Sequence, residues 1–227
     1  MTNSSDFIAR LADKLGRPTP TSVEPIEVKV PIHQLNSIEE RMETLLANWD
    51  ALGGKGSKAK TPEEAANTLK EWFNDLNPQV LKDNTMIIWG DLPDFAKATL
   101  AKLHWVPQSF PDISIDRSVR IKTAADAQLG ITSADFGITQ AATLVLMSNS
   151  RRGRSVSLLP PRHLAFLAAS KIKDDLSEVM EELLSLETPP AAIEFISGPS
   201  RTSDIEMDLS IGVHGPIEVY LVIMADQ

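Results

Sequence analysis

The side chains best able to do chemistry fall in three polar segments of the 227-residue chain. Residues 197–216 contain "GPSRTSDIE" and "GVHGP". Here Arg201, Asp204 and His214 accompany the hydroxyls of Ser200, Thr202 and Ser203. A guanidinium offers a rigid fork of donors that matches a carboxylate or phosphate. An imidazole can donate, accept or titrate near neutral pH. Two readings stand side by side: an anion cradle, or a turn satisfied internally by an Arg201–Asp204 bridge. From the residues alone the turn is favoured, because Ser and Thr after Gly-Pro commonly hydrogen-bond local backbone.

The second segment, "SNSRRGRSVSLLPPRH" at 148–163, gathers Arg151, Arg152, Arg154 and His163. Arg151 and Arg152 read as the solvated tip of a hairpin. Arg154, next to "SVSLLPP", is expected to have a role within the fold. The third segment, "ITSADFGITQAAT" at 131–143, carries Gln140 and Thr143. Ligand sites of α/β sheets gather in loops at strand ends, so these three segments are the candidate site loops. HExxH, GxSxG and GxGxxG patterns are absent, and no spacing marks His163 and His214 as metal ligands. "GGKGSKAK" fails as a phosphate loop, because Trp49 stands where the first glycine belongs and no strand precedes it. It reads as a flexible basic hinge.

Bulk properties narrow the function classes. A net charge of -9 and pI of about 5.0 oppose nucleic acid or an anionic bilayer as partner. The chain has no cysteine, so it can hold no disulfide, thiolate zinc site or cysteine-ligated iron–sulfur cluster. No apolar run is long enough to span a bilayer, and "MTNSSDFIARLADK" lacks the apolar core of a secretory signal. The expected location is the cytoplasm.

The elements that must position these segments follow from periodicity. Phe7, Ile8, Leu11 and Leu15 share a helical face that Gly16 and Pro18 terminate. Pro20, Pro25 and Pro31 mark an extended connector. Ser37 with Glu40, and Thr61 with Glu64, are capping boxes opening two further amphipathic helices. Beyond Thr85 short apolar runs dominate: "TMIIWG", "WVPQS", "ITSAD", "FGIT", "TLVLM", "HLAFLAA", "AAIEFI" and "IEVYLVIMA". Helices are expected at "PDFAKATLAKLH", at "RIKTAADAQLG" and after Asp174 or Asp175. The expected fold class is α/β, an open mixed sheet with helices on both faces, preceded by a helical region at residues 1–80.

Taken together, "ADFGIT-x3-TLVL", "GRSVSLLPPRH" and "GPSRTSDIE-x5-GVHGP" resemble the lactate-utilization (LUD) domain family, with the domain at residues 81–227. The resemblance implies a fold similar to the sugar-phosphate isomerase and CoA-transferase superfamily. It implies a part in oxidising L-lactate to pyruvate beside two partner proteins, at least one carrying iron–sulfur clusters. On that basis Arg201 is the expected holder of a small carboxylate. His214 is expected beside it, with Ser200, Thr202, Thr143, Arg154 and His163 as further ligand contacts and Asp204 and Gln140 as further catalytic candidates. The family commonly carries an acidic "ETGT"-like stretch where this chain has "QAAT" at 140–143. A glutamate can act as nucleophile in related CoA-transferase folds, and Gln140 cannot. The chain is therefore expected to be a binding or docking subunit, and the alternative is a stand-alone isomerase or acyl/CoA-transfer enzyme acting on a small anion.

Overall fold

The computed structural model describes residues 4–17, 35, 37–74, 85–112, 114–203, 209–211 and 214–225. The chain divides into two compact units, residues 1–32 and 33–227. The first contains helix α1 (Ser4–Lys14), with Asp6 in its first turn and Lys14 in its last, both favourable toward the helix dipole. Gly16, at φ +61°, takes the left-handed conformation that stops it.

The second unit runs α2 (Ile38–Ala51), β1 (Lys55–Ala59), α3 (Pro62–Phe73), β2 (Met86–Ile88), α4 (Asp94–Lys102), β3 (Gln108–Ser109) and α5 (Arg117–Asp126). It continues with β4 (Leu129–Ser133), β5 (Phe136–Ile138), β6 (Thr143–Ser148), α6 (Ser155–Leu158), β7 (Arg162–Ala168), β8 (Ile172–Lys173) and α7 (Leu176–Leu184). β9 (Ala192–Ile196), β10 (Arg201–Ser203), β11 (Leu209–Ile211) and β12 (Glu218–Met224) complete it. The capping residues act as the sequence predicts. Ser37 Oγ accepts from Glu40 N–H at 3.1 Å, and Thr61 Oγ1 from Glu64 N–H at 3.2 Å. Asp175 accepts from the N–H groups of Ser177 and Glu178 at the start of α7.

Six strands form one sheet in the order β1-β12-β7-β4-β2-β3, every pairing parallel. Such a sheet must be covered on both faces, and its central strands β7 and β12 are accordingly near-continuous apolar runs. Register assigns the faces. Tyr220 and Leu164 share one face, where Tyr220 meets Trp72 and Phe73 of α3 and Phe73 meets Trp105 edge-on. On the other face lie Gly56, Leu221 and Ala165. There a Cβ on Gly56 would come within 2.5 Å of Leu46, and one on Gly54 within 2.2 Å of Trp49. The missing side chains let α2 close directly over β1. α6 packs on the same face, with the Val156 carbonyl lying against Gly130.

A smaller sheet, β8-β5-β6-β9, has antiparallel β5–β6 and β6–β9 pairs and a parallel β5–β8 pair. β10 and β11 form a hairpin. The strand-rich half is thus one parallel sheet plus a mixed one, rather than a single mixed sheet. Two further expectations differ. "GGKGSKAK" supplies β1, an edge strand paired along its length with β12, because glycines and short polar residues suit an exposed edge lying under a bulky helix. The predicted boundary at residue 80 does not separate a helical arm, since Leu45, Trp49, Leu69 and Phe73 are buried in the same core as the sheet. Position 80 itself lies outside the described residues. Among the described residues no helix is long and apolar enough to cross a membrane.

Candidate functional site

Several of the sequence-predicted residues lie near the amino-terminal edge of the parallel sheet. Leu52, the residue that ends α2, is the hub. Gly198, at φ +82°, turns so close to it that a Cβ would sit 3.1 Å from Leu52 Cβ. The guanidinium of Arg201 donates to the Leu52 carbonyl at 2.5 Å, satisfying one of the acceptors that a helix end leaves open. Thr143 Oγ1 and Ser197 Oγ lie 2.7 Å apart. Ser200 N–H donates to Pro216 O at 2.9 Å, and a Cβ on Gly215 would lie 3.3 Å from Ser200 Cβ. His214, exposed, therefore adjoins the residue that packs against the neighbour of Arg201. Thr202 occupies the middle of β10, opposite Ser210. Asp204 lies outside the described residues, as would an Arg201–Asp204 bridge. The long segment thus builds a hairpin that carries Arg201 back to the end of α2 before β12 begins.

Arg162 Nε and Tyr220 Oη both donate to Glu218 at 2.8 Å on the same edge. Burial, together with the Glu218 hydrogen bond, pushes the Tyr220 hydroxyl well above its ordinary range.

The remaining sequence-predicted residues lie elsewhere. His163 is buried within the sheet, its Nε2 2.8 Å from Thr132 Oγ1. Burial pushes its pKa down to about 4, so the ring is neutral at pH 7. Arg154 Nε donates to buried Glu194 at 3.0 Å, while Ser157 holds the other carboxylate oxygen at 2.8 Å. Gln140 is exposed in the turn between β5 and β6. It lines a cleft of about 290 Å³ with Leu35, Thr44, Asn48 and Thr139, none of which is ionisable.

A second polar cluster occupies the carboxyl-terminal edge, where ligands of open α/β sheets usually bind. A crevice of about 270 Å³ opens there beside Ser133, Ala168 and Met224, the last residues of β4, β7 and β12. Arg152 spans it. Its Nε bonds both oxygens of Asp91 (3.0 and 2.9 Å), Nη1 bonds Asp135 at 2.6 Å, and the guanidinium lies 5.2 Å from the Trp89 ring centre. The expectation of a solvated Arg152 is thereby corrected: two carboxylates and an indole draw it inward. Lys171, 5.7 Å from the Phe136 ring centre, also lines the crevice. Sequence reasoning missed Asp91, Asp135 and Lys171. The available signal was a carboxylate just after "TMIIWG" and another just after "ITSA". Among the described residues no three His, Asp or Glu side chains gather as metal ligands.

A parallel sheet flanked by helices, with polar clusters at both ends, defines an open α/β protein. The chain belongs to the LUD domain family, whose profile matches residues 42–224. It is 42% identical over 232 residues to lactate utilization protein C of Halalkalibacterium halodurans, with 97% of each chain covered. It is 28% identical to the protein of the same name from an Exiguobacterium species, over all of this chain and 97% of that one. The fold is similar to the crystal structure of a DUF162 family protein from Deinococcus radiodurans. That match has a TM-score of 0.57 and 15% identity, and covers 84% of this chain and 99% of the other.

Proposed function

We propose that this chain is a component of an L-lactate utilization system that oxidises L-lactate to pyruvate, serving as a cytoplasmic binding or docking subunit beside iron–sulfur partner proteins. The observation that carries the reading is full-length similarity, at 42% identity, to a protein named lactate utilization protein C. The chemistry of the chain agrees with a division of labour. It has no cysteine with which to bind a cluster, and Gln140 occupies a turn where a nucleophilic or proton-transferring carboxylate would be needed. A small carboxylate is held at the amino-terminal edge by the Arg201 fork, with the Thr143–Ser197 and Ser200 hydroxyls and the His214 imidazole as further contacts. Arg201 spends one nitrogen on the Leu52 carbonyl and keeps the remaining donors for the ligand.

A strain lacking the gene should fail to grow on L-lactate as sole carbon source and grow normally on pyruvate. The purified chain should not dehydrogenate lactate with NAD or with redox dyes. Normal growth of the deletion strain would remove the role, and robust turnover by the isolated chain would replace a subunit with an enzyme.

A further inference from the structure

A cluster of three arginines lies around α5 and α6. Arg117 and Arg120 of α5 and Arg154, which precedes α6, line one cleft of about 420 Å³. Three guanidinia lining one cleft of a protein with net charge -9 repel one another, so an anion between them would be stabilised. Local carboxylates offset part of this charge: Glu194 pairs with Arg154, and Asp112 and Asp116 lie in the field of Arg120. Asp112 and Asp116 each accept the backbone N–H two residues on, from Ser114 at 2.9 Å and Ser118 at 2.8 Å. Neither forms an ion pair with these arginines among the described residues. Glu194 engages only Nε of Arg154, at 3.0 Å.

Two of the three forks are held at Nε. Arg120 Nε donates to the Ile115 carbonyl at 3.0 Å, as Arg154 Nε does to Glu194. Pinning Nε leaves the paired terminal nitrogens of each guanidinium without a hydrogen-bond partner among the described residues. Arg117, exposed, has no such partner at all there.

The rest of the lining is mostly apolar, with Phe110, Ile121, Leu158 and Leu159. Phe110 is fixed from behind, because a Cβ on Gly153 would fall 2.3 Å from its ring. A three-carbon acid such as lactate needs one guanidinium fork and would leave most of this volume and the apolar floor unused. A ligand that uses all of it combines several negative charges with a flat or apolar body.

We propose that the cleft between α5 and α6 is a binding site for an organic phosphate of nucleoside diphosphate size. Its phosphates lie between Arg117, Arg120 and Arg154, and its ring system rests on Phe110 and Ile121. The site is separate from the carboxylate site assigned to Arg201, and it does not depend on that assignment.

Calorimetric titration of the full chain with ADP, pyrophosphate and adenosine tests it. ADP should bind, pyrophosphate should bind more weakly, and adenosine should show no measurable heat. Arg117→Ala and Arg120→Ala should each weaken ADP by about tenfold or more with little change in melting temperature. Arg201→Lys should leave ADP affinity unchanged, which keeps this outcome distinct from that of the lactate-site reading. Absence of ADP binding at millimolar concentration, or equal affinity in both alanine variants and the parent, would overturn the site. Pyrophosphate binding as tightly as ADP would overturn the role of the apolar floor.

Discussion

Thr132 Oγ1 and His163 Nε2 lie 2.8 Å apart inside the parallel sheet, both residues buried. They are neighbours because the β4–β7 register sets Gly130 beside His163, placing Thr132 one pleat further along the same face. The pair is structural, and it makes stability pH-dependent. Burial lowers the His163 pKa from 6.5 to about 4. Between those values the unfolded chain binds a proton that the folded chain refuses, so stability rises with pH through this window and falls as pH drops through it. The full effect is about 3 kcal/mol. Urea unfolding at several pH values should show the slope, and His163→Gln should flatten it. An identical slope in the variant would show that another group titrates.

Gly130 faces the same side of the sheet, and α6 exploits its missing side chain. A Cβ there would come 1.9 Å from the Val156 carbonyl and 3.2 Å from Pro160, where backbone cannot yield cheaply. Gly130→Ala should therefore destabilise by roughly 1–3 kcal/mol, read as a lower denaturation midpoint. Gly16→Ala, in open space at φ +61°, carries only the backbone penalty, about 1 kcal/mol. Equal losses at the two positions would mean that α6 moves away freely.

Elements announced by a cap or a sustained apolar run were legible in the sequence. Ser37, Thr61 and Asp175 cap the helices they are expected to cap, and "HLAFLAA" and "IEVYLVIMA" became β7 and β12. β1 was not legible, because "KGSKA" owes its extended form to β12 and to the α2 side chains above it, partners remote in sequence or carrying no strand signal. "RIKTAADAQLG" was half legible: α5 stops at Asp126, and Leu129 and Gly130 enter β4. At the amino-terminal edge, Arg201, Ser200, Thr143 and His214 could be picked by type, whereas the Leu52 carbonyl that accepts from Arg201 could not. Arg152 went the other way. Its partners Asp91 and Asp135 lie 61 and 17 residues distant, and nothing local shows that they close around it.

Arg201 serves two masters, and substitution separates them. Arg201→Lys removes the planar fork, so affinity for lactate or pyruvate should fall by about tenfold. The lost hydrogen bond to Leu52, made by an exposed side chain, is worth about 1 kcal/mol, a fall of about 2–4 °C in melting temperature. Titration calorimetry beside thermal melts reads both quantities. Unchanged affinity with the lowered melting temperature would leave Arg201 as a helix cap alone.

Truncation tests where the folded unit begins. Removing residues 1–32 deletes the whole of the first compact unit, so the remainder should melt cooperatively with little change in midpoint. Removing residues 1–80 instead strips α2, β1 and α3 from the second. Leu45, Trp49, Leu69 and Phe73, all buried, leave with them, and the edge of β12 loses its partner from Lys55 to Ala59. Each large side chain contributes about 1.5–3 kcal/mol on burial, so these four alone rival the whole stability of a typical domain. The newly bared β12 edge would also be a template for aggregation. The shorter product should therefore be insoluble or lack a cooperative transition by circular dichroism. A soluble, cooperatively folding 81–227 fragment would show that the sheet closes its core without α2 and α3, making residues 1–80 separable from it.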